Sequence, residues 1–395
     1  MTAAARVAIF TDNDFDKVNG VTTALTAVLS HVPVDLTLRV YTASRLGTDC
    51  ANYLALASWG VGIPFYGEMQ VYWPPYRAFV QRLRDDGVQV LHLTTPGPIG
   101  LAALAASRQL GLPLVGSFHT DLAAYTTMLS GRPALGALMR HYLRWLYAHC
   151  QYVLVPSAAT RALLIASGTP GDRLGVWARG VDTDVFTPER RSADVRAHWR
   201  ACDTRPVLLY VGRVSKEKGV GRLGELHDHL VRLGVDHRLV VVGEGPLRGD
   251  LARRCPAALC LGTLGMDRLA AVYASADVFV FPSTTDTAGN VVLEAQASGL
   301  PVLVSGAGGP REQMLPDVTG VVCADAPEAW ATQAARLLTD AGTRRLMSAA
   351  ARAYARSRSW DTALAPLYDT YRRAGRALQP ASVKRAAPLG TRNVA

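Results

Sequence analysis

The chain has 395 residues, 49% of them apolar and 19% charged, a balance that can bury substantial cores and excludes a sequence too polar to fold. No run approaches the roughly 18 consecutive apolar residues of a membrane span, the apolar run in the opening MTAAARVAIFTDND is too short for a secretory signal, and six scattered cysteines without a CxxC pair set aside a disulfide framework or a zinc site. The net charge of +10 does not call for nucleic acid either, because residues 1–188 hold 14 basic against 12 acidic side chains and six of the surplus charges follow Asp369.

Short apolar runs alternate with helical patterns through the first half: RVAIF (6–10), LTLRVYT (36–42), VQVLHL (88–93), LPLVGSF (112–118) and YVLVPS (152–157). That alternation predicts parallel strands joined by crossover helices. Asn19-Gly20-Val21 reads as a small loop following the first strand, and His119 falls directly after the strand ending in GSF. A second series runs through VLLYVG (207–212), RLVVVG (238–243), DVFVFPS (277–283) and PVLVS (301–305). The expected fold class is therefore α/β, with two Rossmann-like, doubly wound domains facing a central cleft. The Pro and charge break in RGVDTDVFTPERRSADVRAHWR places the boundary near 188, giving domains at 1–188 and 189–358. Residues 359–377 read as a last helix packing back on the first domain, interrupted at Pro366, and 378–395 as a disordered basic tail. Such a tail is either solvated or held to an anionic membrane.

Ligands of doubly wound sheets bind beyond the carboxyl ends of the strands, so residues just after each strand carry the functional argument. In STTDTAGNVVLEAQASGLPV (283–302), a strand runs through a glycine loop into a helix. The N–H groups of Ala288, Gly289, Asn290 and Val291 would lie open at the helix start, where the dipole favours an anion and Gly289 lets a phosphate approach. Glu294, one turn further on, can accept two hydrogen bonds from vicinal hydroxyls such as those of a ribose, while Asp286 reaches the other side of the phosphate. Alternatively, Asp286 caps the helix and Glu294 is a solvated position. In VGRVSKEKG, Arg213 and Lys218 either form an exposed basic loop or hold a diphosphate and neutralise charge as it leaves, the work a metal ion would otherwise do. His119 is either structural or turned toward the same cleft. His227 and His229, two apart on a helix, point to different sides and make no metal site.

Taken together, these residues resemble the retaining glycosyltransferases of family 4, with the GT-B fold, over roughly residues 6–375. The resemblance implies that Asp286 contacts a donor sugar and Glu294 its ribose, that Arg213 and Lys218 bind the diphosphate, that His119 lies beside the donor sugar, and that Gly20 belongs to a glycine loop near the leaving group. The first acid of that motif is usually Glu, and Asp286 is one methylene shorter. VNGVTT, GSFHTDL, RGVDTDVF and TDTAGNVVLEA look most like bacterial GDP-mannose-dependent alpha-mannosyltransferases acting on glycolipids, and after them like sulfoquinovosyl transferases. The implied enzyme is a hexosyltransferase with a nucleotide-sugar donor, a glycolipid or glycan acceptor and no cofactor or metal, cytoplasmic or peripheral at the inner face of the cell membrane.

On the acceptor side, ALGALMRHYLRWLYAHC (134–150) repeats Leu135, Leu138, Tyr142, Trp145 and Leu146 at helical spacing beside Arg140 and Arg144. Such a helix faces a core or lies on anionic lipid. Among rival functions, a dehydrogenase needs GxGxxG after a strand, which neither GEGPLR (243–248) nor GAGGPR (306–311) supplies. A glycoside hydrolase has no use for Arg213 and Lys218. A noncatalytic carbohydrate-binding protein remains open, though the full set of His119, Arg213, Lys218 and Glu294 argues against it.

Overall fold

The apolar runs become strands in a computed structural model that describes residues 4–13, 20–63 and 66–376. The first half contributes β1 (Ala5–Phe10), β2 (Leu36–Ser44), β3 (Thr48–Cys50), β4 (Tyr53–Ala57), β5 (Gly60–Ile63), β6 (Tyr66–Tyr72), β7 (Val90–Leu93), β8 (Leu114–Ser117), β9 (Tyr152–Val155) and β10 (Leu174–Val176). Eight of these make one sheet in the order β10-β9-β8-β7-β1-β2-β4-β3, parallel except at the β3 edge, while β5 and β6 pair separately. The second half contributes β11 (Val207–Val211), β12 (Arg238–Val242), β13 (Leu259–Cys260), β14 (Val278–Phe281), β15 (Val302–Ser305) and β16 (Gly320–Cys323), parallel in the order β13-β12-β11-β14-β15-β16. Helices cover both faces, which is why β7, β11, β14 and β15 are buried along their whole length and read as unbroken apolar runs. Strands β3, β4, β10, β13 and β16 and the β5–β6 ribbon had no run of their own in the sequence reading.

Chain order reverses between β1 and β7 in the first sheet and between β11 and β14 in the second. The loops after β11 and β14 therefore open a crevice in which a ligand can sit.

The last helix, Trp360–Arg376, packs on the first sheet, placing Leu364, Leu367, Tyr368 and Tyr371 in one core with Val7, Ile9 and Trp177. It is continuous through Pro366, against the expected interruption. A proline inside a helix costs about 3 kcal/mol, whereas each large apolar side chain buried here contributes about 1.5–3 kcal/mol, so packing outweighs the missing N–H. Tyr368 also donates to Val28 O at 2.9 Å, and Arg372 pairs with Asp35 at 2.7 Å. The basic tail 378–395 lies outside the described residues. Among those described, no helix is long and apolar enough to cross a membrane.

Candidate active site

The loops that leave β11 and β14 are stitched together before any ligand is considered. Ser283 and Thr285 donate their hydroxyls to Glu217 O at 3.1 and 2.9 Å, and Lys218 Nζ reaches Asp286 Oδ2 at 2.5 Å. The other carboxylate oxygen, Asp286 Oδ1, accepts the N–H groups of Ala288 (3.1 Å) and Gly289 (2.9 Å). Two of the donors expected to be open at the helix start are thus taken by Asp286, which stands where an anion was anticipated. These bonds close a tight turn just ahead of helix Asn290–Ala297, and a short Asp side chain can fold back onto N–H groups two and three residues on. Burial would raise the Asp286 carboxyl, but Lys218 and the two N–H groups override this and hold it below the usual range. Burial would likewise lower Lys218, and Asp286 overrides that, leaving it raised.

Gly289 serves the fold first. It caps helix Asn290–Ala297 with φ of 75°, and a Cβ there would stand 2.9 Å from Pro310 Cα. Asn290 keeps its Oδ1 buried without a partner among the described residues. Arg213 is half-buried and its carbonyl accepts the Tyr210 hydroxyl at 2.8 Å. The turn after β12 closes on the same loop, with Val214 N donating to Glu244 O at 2.8 Å. Contact that close requires glycine at 243, where φ is 128° and a Cβ would lie 2.0 Å from Gly212 O.

Glu294 sits one turn into the helix and accepts the Tyr273 hydroxyl at 2.9 Å. Burial pushes its carboxyl up to about 7, against the pull of that hydrogen bond. Burial thus favours the protonated form over the standing carboxylate the sequence suggested.

From the first domain, His119 follows β8 and its carbonyl accepts the Thr287 hydroxyl across the cleft at 2.5 Å. Its ring is held on both sides: Nδ1 by Arg179 Nη2 at 2.8 Å and Nε2 by Ser117 Oγ at 2.9 Å. Tyr125 lies close enough to feel the charges of Lys218 and Asp286, and the Glu312 carboxylate accepts the N–H groups of Ala158 and Ala159 at 2.7 and 2.6 Å, capping helix Ala158–Ala166 of the opposite domain. The buried Asp12 carboxylate, after β1, accepts Ile99 N (2.9 Å) and the Thr95 hydroxyl (2.6 Å), capping helix Pro98–Leu110.

Gly20 is not in a loop; it opens helix Gly20–Ser30, and Asn19 lies outside the described residues. Nothing within 4 Å would meet a Cβ at Gly20, and its φ is not positive. Gly20→Ala is therefore expected to leave the unfolding midpoint unchanged, so any lost activity in that variant reports ligand approach; a lowered midpoint would show that the fold needs this glycine. Neither His227 nor His229 converges on a metal site: His227 Nδ1 faces His237 Nε2 at 3.0 Å.

On helix Pro133–Ala148 the anticipated stripe divides. Leu146 is fully buried, while Leu135, Leu138 (67% exposed) and Trp145 (47%) face outward with Arg140 and Arg144. Arg179, Thr287, Tyr273, Tyr125 and Glu312 were missed as site residues. Arg179 stood in the quoted RGVDTDVF and Thr287 in TDTAGNVVLEA, but nothing local separates either from other residues of its type.

Two Rossmann-like sheets, with a crevice at the switch point of the second, make up the GT-B fold. The Anabaena protein HepE, solved in complex with UDP and glucose, superposes with a TM-score of 0.75 at 17% identity over 93% of this chain and 100% of that one. The description "Glycosyltransferase Family 4" matches residues 18–185 and "Glycosyl transferases group 1" matches 205–340. A GDP-mannose-dependent alpha-mannosyltransferase of Mycobacterium tuberculosis is 35% identical over 80% of this chain and 83% of its own length. A sulfoquinovosyl transferase of Arabidopsis thaliana is 34% identical over 72% of this chain and 56% of its own. The chain belongs to glycosyltransferase family 4 and is a hexosyltransferase.

Proposed function

We propose that the chain transfers mannose from GDP-mannose to a hydroxyl of a glycolipid or glycan acceptor, with retention at the anomeric carbon. The observation that carries this reading is the contact of Lys218 with Asp286 between the β11 and β14 loops of one switch point, with Arg213 in the same β11 loop and Glu294 on the helix that follows. Arg213 and Lys218, five positions apart on one loop, suit a diphosphate. In this reading Asp286 exchanges Lys218 for hydroxyls of the donor sugar, and Lys218 turns to the diphosphate beside Arg213. Ala288, Gly289 and Asn290 then frame the phosphate side, and Glu294 takes the ribose. Gly20 and His119 close the site from the first domain.

The acceptor oxygen bonds to the anomeric carbon on the face from which the diphosphate departs, and its proton passes to the leaving phosphate oxygen. Arg213 and Lys218 meet the growing negative charge without a metal, an effect worth several kcal/mol in a dry cleft. A UDP-sugar donor is the second reading, favoured by the Anabaena structure with UDP and glucose and by the sulfoquinovosyl relative.

Thermal unfolding with matched concentrations of GDP, UDP, ADP, dTDP and NAD separates the readings. A ligand at 100 times its dissociation constant adds about 2.7 kcal/mol, enough to move the midpoint of this chain visibly. GDP alone is expected to stabilise it. UDP alone moves the donor to a glucosyl, galactosyl or sulfoquinovosyl nucleotide, and silence from all the diphosphates overturns the site.

A lipid acceptor also fits the outward face of helix Pro133–Ala148, where Leu138 and Trp145 stand with Arg140 and Arg144. Flotation with vesicles containing anionic lipid is expected to recover the protein, and Leu138→Glu with Trp145→Glu to release it. Equal recovery of the double variant removes this face from the account.

A further inference from the structure

Four hydrogen bonds lead from the cleft to the last helix, through side chains far apart in sequence. Arg179 Nη2 contacts His119 Nδ1 at 2.8 Å, His119 Nε2 contacts Ser117 Oγ at 2.9 Å, Ser117 Oγ contacts His92 Nε2 at 2.8 Å, and His92 Nδ1 contacts Tyr371 Oη at 2.6 Å. Chemistry sets the direction of every proton. A guanidinium can only donate, so His119 Nδ1 accepts and its hydrogen sits on Nε2, donating to Ser117. The Ser117 hydroxyl hydrogen then has His92 Nε2 as its acceptor, and His92 carries its own hydrogen on Nδ1, donating to Tyr371. Reversing His92 would leave the Ser117 hydrogen with no acceptor in the chain.

Both imidazoles stay neutral. Burial takes His92 down to about 3, and burial, with the Arg179 charge behind it, takes His119 well below its ordinary range. His119 therefore spends both ring nitrogens inside the protein and presents its backbone carbonyl to the cleft, where Thr287 of the TDTAG loop donates to it.

Arg179 is fixed as firmly as the ring it holds. It is 3% exposed, its guanidinium carbon lies 4.9 Å from the Trp177 ring centroid, and Trp177 in turn meets His119 edge-on at 5.5 Å. Its Nε and Nη1 are buried without partners among the described residues. The Arg179 end of the path lies next to the places where the chain crosses between domains. Val181, two residues past Arg179, donates its N–H to Arg358 O at 2.9 Å, and a Cβ on Gly180 would fall 2.7 Å from Trp360 Cα, at the start of the helix that carries Tyr371.

We propose that Arg179 is a positioning residue of the transfer reaction: it locks His119 as the Nε2–H tautomer and ties it, through Ser117 and His92, to Tyr371, so that the His119 carbonyl meets Thr287 when the domains close. This rests on the family 4 reading of the cleft, but it gives the His119 ring no proton to carry. The residue acts on the geometry of closure and leaves the donor diphosphate to the opposite domain.

The test uses the full chain labelled with 15N-histidine, with GDP-mannose turnover and midpoint shifts by GDP measured alongside. In the wild type, His119 is expected to show a protonated Nε2 and an unprotonated Nδ1, and His92 the reverse. Arg179→Leu is expected to mix the His119 tautomers and lower turnover about 10-fold or more through misplaced closure, with GDP stabilisation unchanged. Arg179→Lys, which restores one donor, should recover part of both. Tyr371→Phe removes the acceptor of His92 Nδ1–H and should release that tautomer, which carries the test if Arg179→Leu does not fold. Unchanged tautomers in the variants overturn the proposal, as does a loss of GDP stabilisation that tracks the loss of turnover, which would make Arg179 a ligand residue. If no nucleotide sugar is turned over, the tautomers decide the question alone, and the failure belongs to the reading of the reaction.

Discussion

Lys218→Ala is expected to lower turnover by about 100-fold or more, because the charge growing on the leaving diphosphate loses its closest partner. The structure adds a consequence that the sequence did not carry. Lys218 also neutralises Asp286, whose side chain is only 16% exposed, and breaking a buried pair from one side costs about 3–5 kcal/mol. The variant should therefore unfold at a lower temperature, by less than the full cost, because Ala288 N and Gly289 N still hold the carboxylate. Adding Asp286→Asn removes the stranded charge, so the double variant should regain stability without regaining turnover. Recovery of turnover in the double variant would mean that the pair is structural, and wild-type turnover in Lys218→Ala would take the lysine out of the mechanism.

Glu294 gives the second large effect, and its sign follows from its titration. The buried carboxyl is raised to about 7, so the protein binds that proton more tightly folded than unfolded. Its stabilising contribution is complete below the unfolded value, near pH 4.5, and is lost as pH rises through about 7. Glu294→Gln keeps an oxygen for the Tyr273 hydroxyl and removes the ionisation. It should unfold at a higher temperature than the wild type at pH 8 and at nearly the same temperature at pH 5. Donor binding runs the other way. If ribose hydroxyls require the carboxylate, the ionised fraction rises about 10-fold between pH 6 and 8, and nucleotide affinity should rise with it. In Glu294→Gln the affinity should be weaker and flat over the same range. Calorimetric titration of GDP or UDP across that range reads this directly, and parallel pH curves for wild type and variant would remove Glu294 from the ribose.

The two sheets were legible because strands buried on both faces, such as Val207–Val211, have to be apolar at every position. Lys218, Asp286 and Glu294 were singled out because doubly wound sheets bind at strand ends, and the structure brings the first two into contact. What the sequence did not reveal is how those groups satisfy one another in an empty cleft. Asp286 can be picked out from its position after a strand, but its hydrogen bonds to Ala288 N and Gly289 N depend on the path of the loop ahead of the helix. Pro366 shows the converse: the local rule for proline holds, and the burial of Leu364, Leu367 and Tyr371 against a distant sheet overrules it. Arg179 and Glu312 were invisible for a simpler reason. Their partners lie 60 and about 150 positions away, and no local spacing rule reaches that far.

The most direct test of the central claim is proton NMR of the product formed from GDP-mannose and a lipid acceptor extract, read at the anomeric carbon. Formation of an alpha-mannoside with stoichiometric release of GDP, abolished in Lys218→Ala, is the expected result. A beta-linked product would contradict retention, and release of free mannose or of no nucleotide from any diphosphate sugar would contradict the transferase reading of this cleft.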